Sequence, residues 1–261
     1  MHERQTNRAK YFEEQAYTTE KYVIPYIQEI MPVHSDTNVL EIGCGEGGNL
    51  KPFLDMGCRV TGIDLSEYKI GNAHSFFAAH PKRENARFIS KDIYEIADSP
   101  EFTFDLILLR DTIEHIPDQD RIMARMKTFL KPGGVIFFAF PPWRMPFGGH
   151  QQVCRNKVLS ALPYFHLLPR WLYRAVLRLG GESDALIQGL MEVRDTQISI
   201  HRFHSILNSQ NWKIHKQTYY LINPNYEIKF GLKPRVVPAV FNMPVLRDFY
   251  VTALYCIVSP K

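Results

Sequence analysis

From residue 38 to residue 140, short apolar runs alternate with stretches that read as helices. The runs are Val39-Leu40-Glu41-Ile42, Arg59-Val60-Thr61-Gly62-Ile63-Asp64, Arg87-Phe88-Ile89, Phe104-Asp105-Leu106-Ile107-Leu108-Leu109 and Val135-Ile136-Phe137-Phe138. Near-continuous apolar runs of this length suit strands buried on both faces of a parallel sheet. The alternation predicts an α/β fold with helices on both faces, in which ligands sit outside the carboxyl ends of the strands. Before it, residues 8–31 predict one or two helices, with Tyr11, Phe12, Tyr17, Tyr22, Ile24 and Ile27 as apolar contacts and Pro25 as a break or a start.

After Phe140 the pattern changes. Pro141-Pro142-Trp143-Arg144-Met145-Pro146-Phe147-Gly148-Gly149-His150 reads as a loop leaving the fifth strand at the ligand edge. Residues 151–193 look largely helical, with interruptions near Pro163, Pro169 and Gly180-Gly181, so 141–195 is read as an inserted lid or acceptor-binding segment. A helix at 196–209 and a strand at 212–222 follow. A second insertion, 223–248, carries Pro224, Pro234, Pro238 and Pro244, and Phe249–Val258 is apolar throughout and suits the last strand. The whole of 1–261 is expected to form a single domain, with 1–37 as an N-terminal helical segment, 38–140 as the cofactor-binding part and 196–261 completing the sheet.

The chemistry starts at Glu41-Ile42-Gly43-Cys44-Gly45-Glu46-Gly47-Gly48, a buried strand running into a glycine turn and then a helix. Glycines there let backbone amides approach a ligand. The run also satisfies the G-x-G-x-x-G pattern of dinucleotide folds. A pyrophosphate would be repelled by Glu41, whereas a ligand carrying an ammonium group would be attracted to it. At this point the chain resembles the class I S-adenosylmethionine-dependent methyltransferases, whose first motif has such an acid followed by G-x-G-x-G. Further resemblances follow in order. Asp64 ends the second run about 20 residues on, where a Rossmann-like unit places the acid that accepts from ribose hydroxyls. Asp92 follows the third. Glu114-His115-Ile116-Pro117-Asp118 follows the fourth and is similar to the E-H-x-x-D motif of small-molecule methyltransferases. Leu130-Lys131-Pro132-Gly133-Gly134 stands as a helix stop before the fifth.

The resemblance implies a Rossmann-like, seven-stranded, mostly parallel sheet in the order 3-2-1-4-5-7-6, with helical insertions after the fifth and sixth strands. It implies S-adenosyl-L-methionine as cofactor and S-adenosyl-L-homocysteine as product. The cofactor set is then Glu41, Gly43, Cys44, Gly45, Gly47, Asp64, Leu65, Asp92, Ile93 and Arg110, with Glu41 on the ammonium group and Asp92 on the adenine amino group. Arg110 departs from the family, which usually has a small or neutral residue near that point, and a cation beside a sulfonium is unfavourable unless paired. Asp111 or an anionic acceptor is its expected partner.

His115 and His150 are the candidates for general base on an acceptor hydroxyl, since imidazole titrates near neutrality. A packing or capping histidine is the plain alternative for each. Asp111-x-x-Glu114-His115 on one helical turn resembles a stretch at which some ubiquinone-pathway O-methyltransferases use a divalent ion. Asp is shorter than the Glu found there, so a divalent metal at this stretch is kept as the less favoured reading. The function that follows is methyl transfer to a small-molecule, sugar or lipid-linked acceptor, with O-methylation preferred. Methylation of RNA or protein, and a non-catalytic S-adenosylmethionine-binding regulator, are the other readings. A dehydrogenase would explain only the first two motifs.

Charge adds one asymmetry. Residues 1–140 hold 16 basic and 21 acidic residues, and residues 141–261 hold 15 and 6. A basic second half suits an anionic acceptor or a phospholipid surface, or else is a solvated face. Arg170, Arg174 and Arg178 recur every four residues beside Trp171, so 169–179 is a candidate peripheral contact with a membrane. No nucleic-acid-binding module is recognisable, and nothing sets an oligomeric state. No apolar run approaches the roughly 18 residues of a membrane span. The polar start and the four scattered cysteines, without a C-x-x-C pair, lead us to expect a cytoplasmic protein, peripheral at the inner membrane surface if 169–179 docks there.

Overall fold

A computed structural model describes residues 7–261. The first helix, α1 (Arg8–Thr18), starts at Asn7, whose side chain accepts from the Lys10 amide. It runs without a break through a π-helical turn, Thr19–Val23, into α2 (Ile24–Gln28). Pro25 lies just past the π-helical turn, inside the continuous helix; the wider turn before it accommodates the ring and the missing N–H, so it neither starts nor breaks a helix.

The alternating region gives β1 (Asn38–Ile42), α3 (Lys51–Asp55), β2 (Arg59–Asp64), α4 (Glu67–Phe77), β3 (Ala86–Ser90), β4 (Phe104–Arg110), α5 (Gln119–Lys127) and β5 (Leu130–Phe140). Strands β3-β2-β1-β4-β5 are parallel neighbours. The final strand, β8 (Ala253–Pro260), lies antiparallel between β5 and β6 (Trp212–Ile222). The expected order is therefore present, with one strand more than expected. The two-residue β7 (Arg235–Val236) pairs with β6 and makes an eighth, edge strand. Two paired residues between Pro234 and Pro238 carry no periodicity that a sequence reading detects.

Three boundaries differ from expectation, each for a local reason. The last strand begins at Ala253 rather than Phe249, because Leu246–Phe249 coils into a 3-10 turn. The helix expected at 196–209 is α9 (Ile200–Ser209). Gln197 is left-handed and ends the preceding helix, and Ser199 caps the new one by accepting from the Arg202 amide. Pro132-Gly133-Gly134 lies inside β5, and an irregularity takes it up as the pairing passes from Phe104↔Leu130 to Leu106↔Val135.

Successive strand residues point to opposite faces of a sheet. Leu40, Ile107 and Phe138 meet Met126 of α5 and Phe203 of α9 on one side. Val39, Leu106 and Phe137 meet Ile27, Phe53 and Phe77 on the other. A third apolar cluster lies wholly within residues 154–191, among α6 (Lys157–Ala161), α7 (Arg170–Leu179) and α8 (Asp184–Thr196), and includes Phe165, Tyr173, Leu177 and Ile187. His166 locks the loop beneath it. Fully buried, it bonds to the Trp143 carbonyl through Nε2 (2.8 Å) and to the Gln151 side-chain amide through Nδ1 (3.2 Å). The carbonyl requires a proton on Nε2 and Nδ1 accepts from the Gln151 amide, so the ring is neutral, and burial pushes its pKa down to about 4. Among the described residues, no helix is long and apolar enough to cross a membrane.

Candidate active site

A cavity of about 870 Å³ opens at the carboxyl ends of β1, β2 and β4. Its floor is the glycine turn after β1. The amides of Gly43 and Cys44 donate to the Ile63 carbonyl (2.7 and 3.0 Å), which ties the turn to β2. The Gly45 amide donates to Asp64 Oδ2 (2.9 Å). Gly45 is left-handed and faces the cavity, and a Cβ there would meet nothing closer than Lys69 Cδ at 4.0 Å. The space in front of it is open to a ligand.

The other residues of the motif do different work. A Cβ on Gly47 would stand 2.8 Å from the Phe88 ring and 3.1 Å from Phe77, so this glycine serves packing and does not reach the cavity wall. Cys44 is buried with Sγ against Gly62, behind the turn. Glu41 also lies behind it. Its Oε1 accepts from Asn49 Nδ2 (2.5 Å), and its other oxygen is buried without a hydrogen-bond partner. Burial pushes its pKa up to about 8, against the opposing effects of the Asn49 bond and the Arg110 charge. The carboxylate that does line the cavity from this turn is Glu46, held by two bonds from Arg8 (2.7 and 2.5 Å). Sequence reasoning missed Glu46, and Arg8 and Tyr11 of α1 as wall residues. The signal available was the amphipathic N-terminal segment, which the fold brings over the cavity.

Asp64 stands at the end of β2, accepting from Gly45 and, through Oδ1, from the Ser66 amide (2.9 Å). Leu65 is exposed at the rim. Asp92 accepts from the Tyr94 amide (2.9 Å), and Ile93 is buried in the same wall. Gly43, Gly45, Asp64, Leu65, Asp92, Ile93, Arg110, His115 and His150 thus share one cavity, whereas Glu41, Cys44 and Gly47 stand behind it.

Arg110, at the end of β4, is buried and engaged on several sides. It donates to Thr19 Oγ1 (2.9 Å), to Asn49 Oδ1 (2.6 Å) and to Asn225 Oδ1, and lies 3.9 Å from Asp111. One guanidinium therefore joins the N-terminal helices, the glycine turn and α10 (Asn225–Phe230). Asp111 in turn accepts from Asn225 (3.4 Å) and lines the same cavity, outside the group formed by Glu114, His115 and His150.

Ile113–His115 forms a 3-10 turn rather than an α-helical one. Asp118, the last acid of the E-H-x-x-D run, accepts from the Arg121 amide and caps α5. The His115 and His150 rings meet edge to face, 4.9 Å between centroids. Burial lowers both pKa values, that of His150 to about 3, so both imidazoles are neutral at pH 7. Glu114 is buried beside them with neither carboxylate oxygen hydrogen-bonded, and burial holds its pKa well above the usual range. One ligand atom from each of Glu114, His115 and His150 lies within 4.8 Å of the others.

The sheet order, with a ligand cavity over a glycine turn at its carboxyl edge, defines the Rossmann-like class of methyltransferase folds. Residues 12–175 match a family described as Methyltransferase domain, and the chain belongs to that family. Among solved structures, a plantazolicin methyltransferase in complex with a substrate analogue and S-adenosylhomocysteine aligns with a TM-score of 0.56 at 15% identity, covering 98% of this chain and 87% of that one. A putative sarcosine dimethylglycine methyltransferase from Galdieria sulphuraria aligns with a TM-score of 0.59 at 12% identity, covering 92% and 84%. At these identities the likeness shows the fold. Among curated relatives, a ubiquinone biosynthesis O-methyltransferase of Rhizobium leguminosarum bv. trifolii is 39% identical over 101 residues, 39% of each chain. One from Coxiella burnetii is 34% identical over 102 residues, 39% of this chain and 42% of its own. The chain thus spans about two fifths of the length of these relatives.

Proposed function

We propose that this chain transfers a methyl group from S-adenosyl-L-methionine to a hydroxyl of a small, partly apolar acceptor, releasing S-adenosyl-L-homocysteine. The observation that carries it is the pair of neutral imidazoles, His115 and His150, in the wall of the cavity built over Gly43 and Gly45. The cofactor supplies a methyl group already activated on a sulfonium, which leaves the protein to position, exclude water and accept a proton. The bare backbone at Gly45 and the Asp64 carboxylate suit the nucleoside end, with Leu65, Asp92 and Ile93 toward the base. Glu41 and Arg110 set the shape of the turn from behind and beside it.

His115 takes the hydroxyl proton; His150, its pKa pushed down to about 3 by burial, is too weak a base and instead orients His115 through their edge-to-face contact. Met145, Phe147, Ile116 and Phe230 give the cavity apolar walls, which suit an acceptor with an apolar body or lipid tail. Residues 141–195 act as the lid over it. The relatives' O-methyltransferase name supports a hydroxyl.

The test uses labelled S-adenosylmethionine with a panel of phenols and catechols bearing apolar tails. Label should appear on the hydroxyl, and His115→Ala and His150→Ala should lower kcat by about 10²–10⁴ in sum while cofactor binding persists. Cofactor binding without transfer to any fraction of a cell extract would favour a regulator. Label in RNA or protein would overturn the acceptor class.

The orphaned Glu114 supports a second reading, in which Glu114, His115 and His150 together hold a divalent cation. Such an ion would supply a Lewis acid that lowers the acceptor's pKa. Two neutral imidazoles and a carboxylate are a suitable donor set, with His150 in the place the sequence offered to Asp111. Mn²⁺ binding by electron paramagnetic resonance, lost in Glu114→Gln, would support it. Activity unchanged by chelator and by Glu114→Gln would leave the direct proton transfer.

A further inference from the structure

The candidate membrane helix is half engaged with its own protein, and of its large apolar side chains only Trp171 and Leu179 stand exposed. Tyr173 and Leu177 are buried in the third cluster, Arg170 pairs with Asp195, and Arg178 lies 3.8 Å from Asp184. A different segment stands out from the surface. Between residues 228 and 247, nine large apolar side chains are each at least 40% exposed. Phe230, Leu232, Val240, Phe241, Val245 and Leu246 are among them. Exposed apolar residues scattered singly need no explanation, but nine within one short segment do.

The segment's charge points to what covers it. Residues 228–247 carry Lys229, Lys233, Arg235 and Arg247 and no Asp or Glu. Both ends are anchored. Asn225 holds Arg110 at one end, and Asp248 accepts from the Ile200 amide at the other (3.2 Å), next to Phe249, whose carbonyl takes the Tyr164 hydroxyl (2.9 Å). Between these anchors the backbone is tied to the sheet at its edge, through β7 and the Val237 amide, which donates to the Tyr219 carbonyl (2.8 Å). Tyr226, Lys229 and Phe230, at the start of the segment, also line the cavity. Apolar side chains interleaved with cations, without acids, match the acyl boundary and headgroups of an anionic bilayer.

We propose that residues 228–247 form a membrane-docking face that sets the mouth of the cavity against an anionic lipid surface. This rests on the proposed apolar acceptor for its purpose only, because lipid binding can be measured without cofactor or acceptor. Insertion of the apolar tips gives affinity, and the exposed Lys233 and Arg235 give the preference for anionic lipid.

The experiment is co-sedimentation of the full chain with vesicles of phosphatidylglycerol and phosphatidylcholine, and with pure phosphatidylcholine. The anionic vesicles should bind at least tenfold more tightly, and high salt should weaken them. Val240→Asp together with Phe241→Asp should lower that affinity at least tenfold, with the melting temperature and S-adenosylmethionine binding of the wild type. Arg174→Ala, on the other candidate helix, should leave vesicle binding unchanged. Full vesicle binding by the Val240→Asp, Phe241→Asp variant would overturn the proposal. So would a wild type that ignores vesicles but dissociates from dimer to monomer with the same two substitutions, which would make the face a contact between copies. A chain that binds vesicles as expected yet methylates no hydroxyl would overturn the function proposed above and leave the docking face intact.

Discussion

Gly45 and Gly47 are two residues apart in one glycine turn and both are left-handed, yet they should fail in opposite ways when replaced by alanine. Placing an L-residue in that backbone region costs about 1–2 kcal/mol at either position. The entropy that alanine removes from the unfolded chain is common to both and cancels in the comparison. The difference comes from what the new methyl meets. At Gly47 it stands 2.8 Å from the Phe88 ring and 3.1 Å from Phe77, both buried between α4 and β3. Overpacking of this kind adds about 1–3 kcal/mol. At Gly45 it meets only the end of a flexible lysine at 4.0 Å and projects into the cavity. Gly47→Ala should therefore be less stable than Gly45→Ala by about 1–3 kcal/mol, a melting temperature lower by roughly 2–12 °C for a chain of this size. Titration calorimetry with S-adenosylmethionine should show the reverse order. Gly45→Ala should lose at least tenfold in affinity, and the folded fraction of Gly47→Ala should bind nearly as the wild type does. If Gly45→Ala binds the cofactor normally, or Gly47→Ala melts no lower than Gly45→Ala, the division of labour within the turn is wrong.

Two further substitutions test the framework. His166 has a folded pKa near 4 against an ordinary 6.5, so the unfolded chain binds the extra proton between those values. Its contribution is fully present above pH 6.5 and is lost as the pH falls toward 4, amounting to at most about 3 kcal/mol. His166→Gln, less stable at pH 7, should lose less on acidification than the wild type in urea melts at pH 7 and pH 5; equal losses would refute the assignment. Arg110→Met removes the donor shared by Thr19, Asn49 and Asn225, and should cost about 2–4 kcal/mol. Limited proteolysis should then cut within 223–248 faster than in the wild type, and an unchanged pattern would mean the guanidinium is not what holds that segment.

The central sheet was legible because its strands are continuous apolar runs, and Asp64, His115 and the glycine turn follow from strand ends that such runs define. The division of labour inside the motif was not legible. Which glycine faces a ligand and which faces Phe88 depends on β3 and α4 arriving from 40 residues away. Glu41 and Glu46 show the same limit. Both are acids beside glycines, but strand direction buries one behind the turn while the other meets Arg8, which only the path of α1 brings near. His150 could be placed in the right loop, though its contact with His115 depends on a left-handed residue at the start of a 3-10 turn. The exposed apolar character of 228–247 was invisible for another reason, since apolar residues among prolines read equally well as core until burial is measured.

The third apolar cluster leaves the chain with a core that belongs to neither face of the sheet. Phe165, Tyr173, Leu177 and Ile187 are satisfied among themselves, and His166 fastens the loop to that cluster rather than to β5. Substitutions there will be absorbed by local repacking, without reaching the strands that shape the glycine turn. The third cluster and the glycine turn are in this way stabilised separately, so a lineage of such chains is free to diversify the first while inheriting the second unchanged.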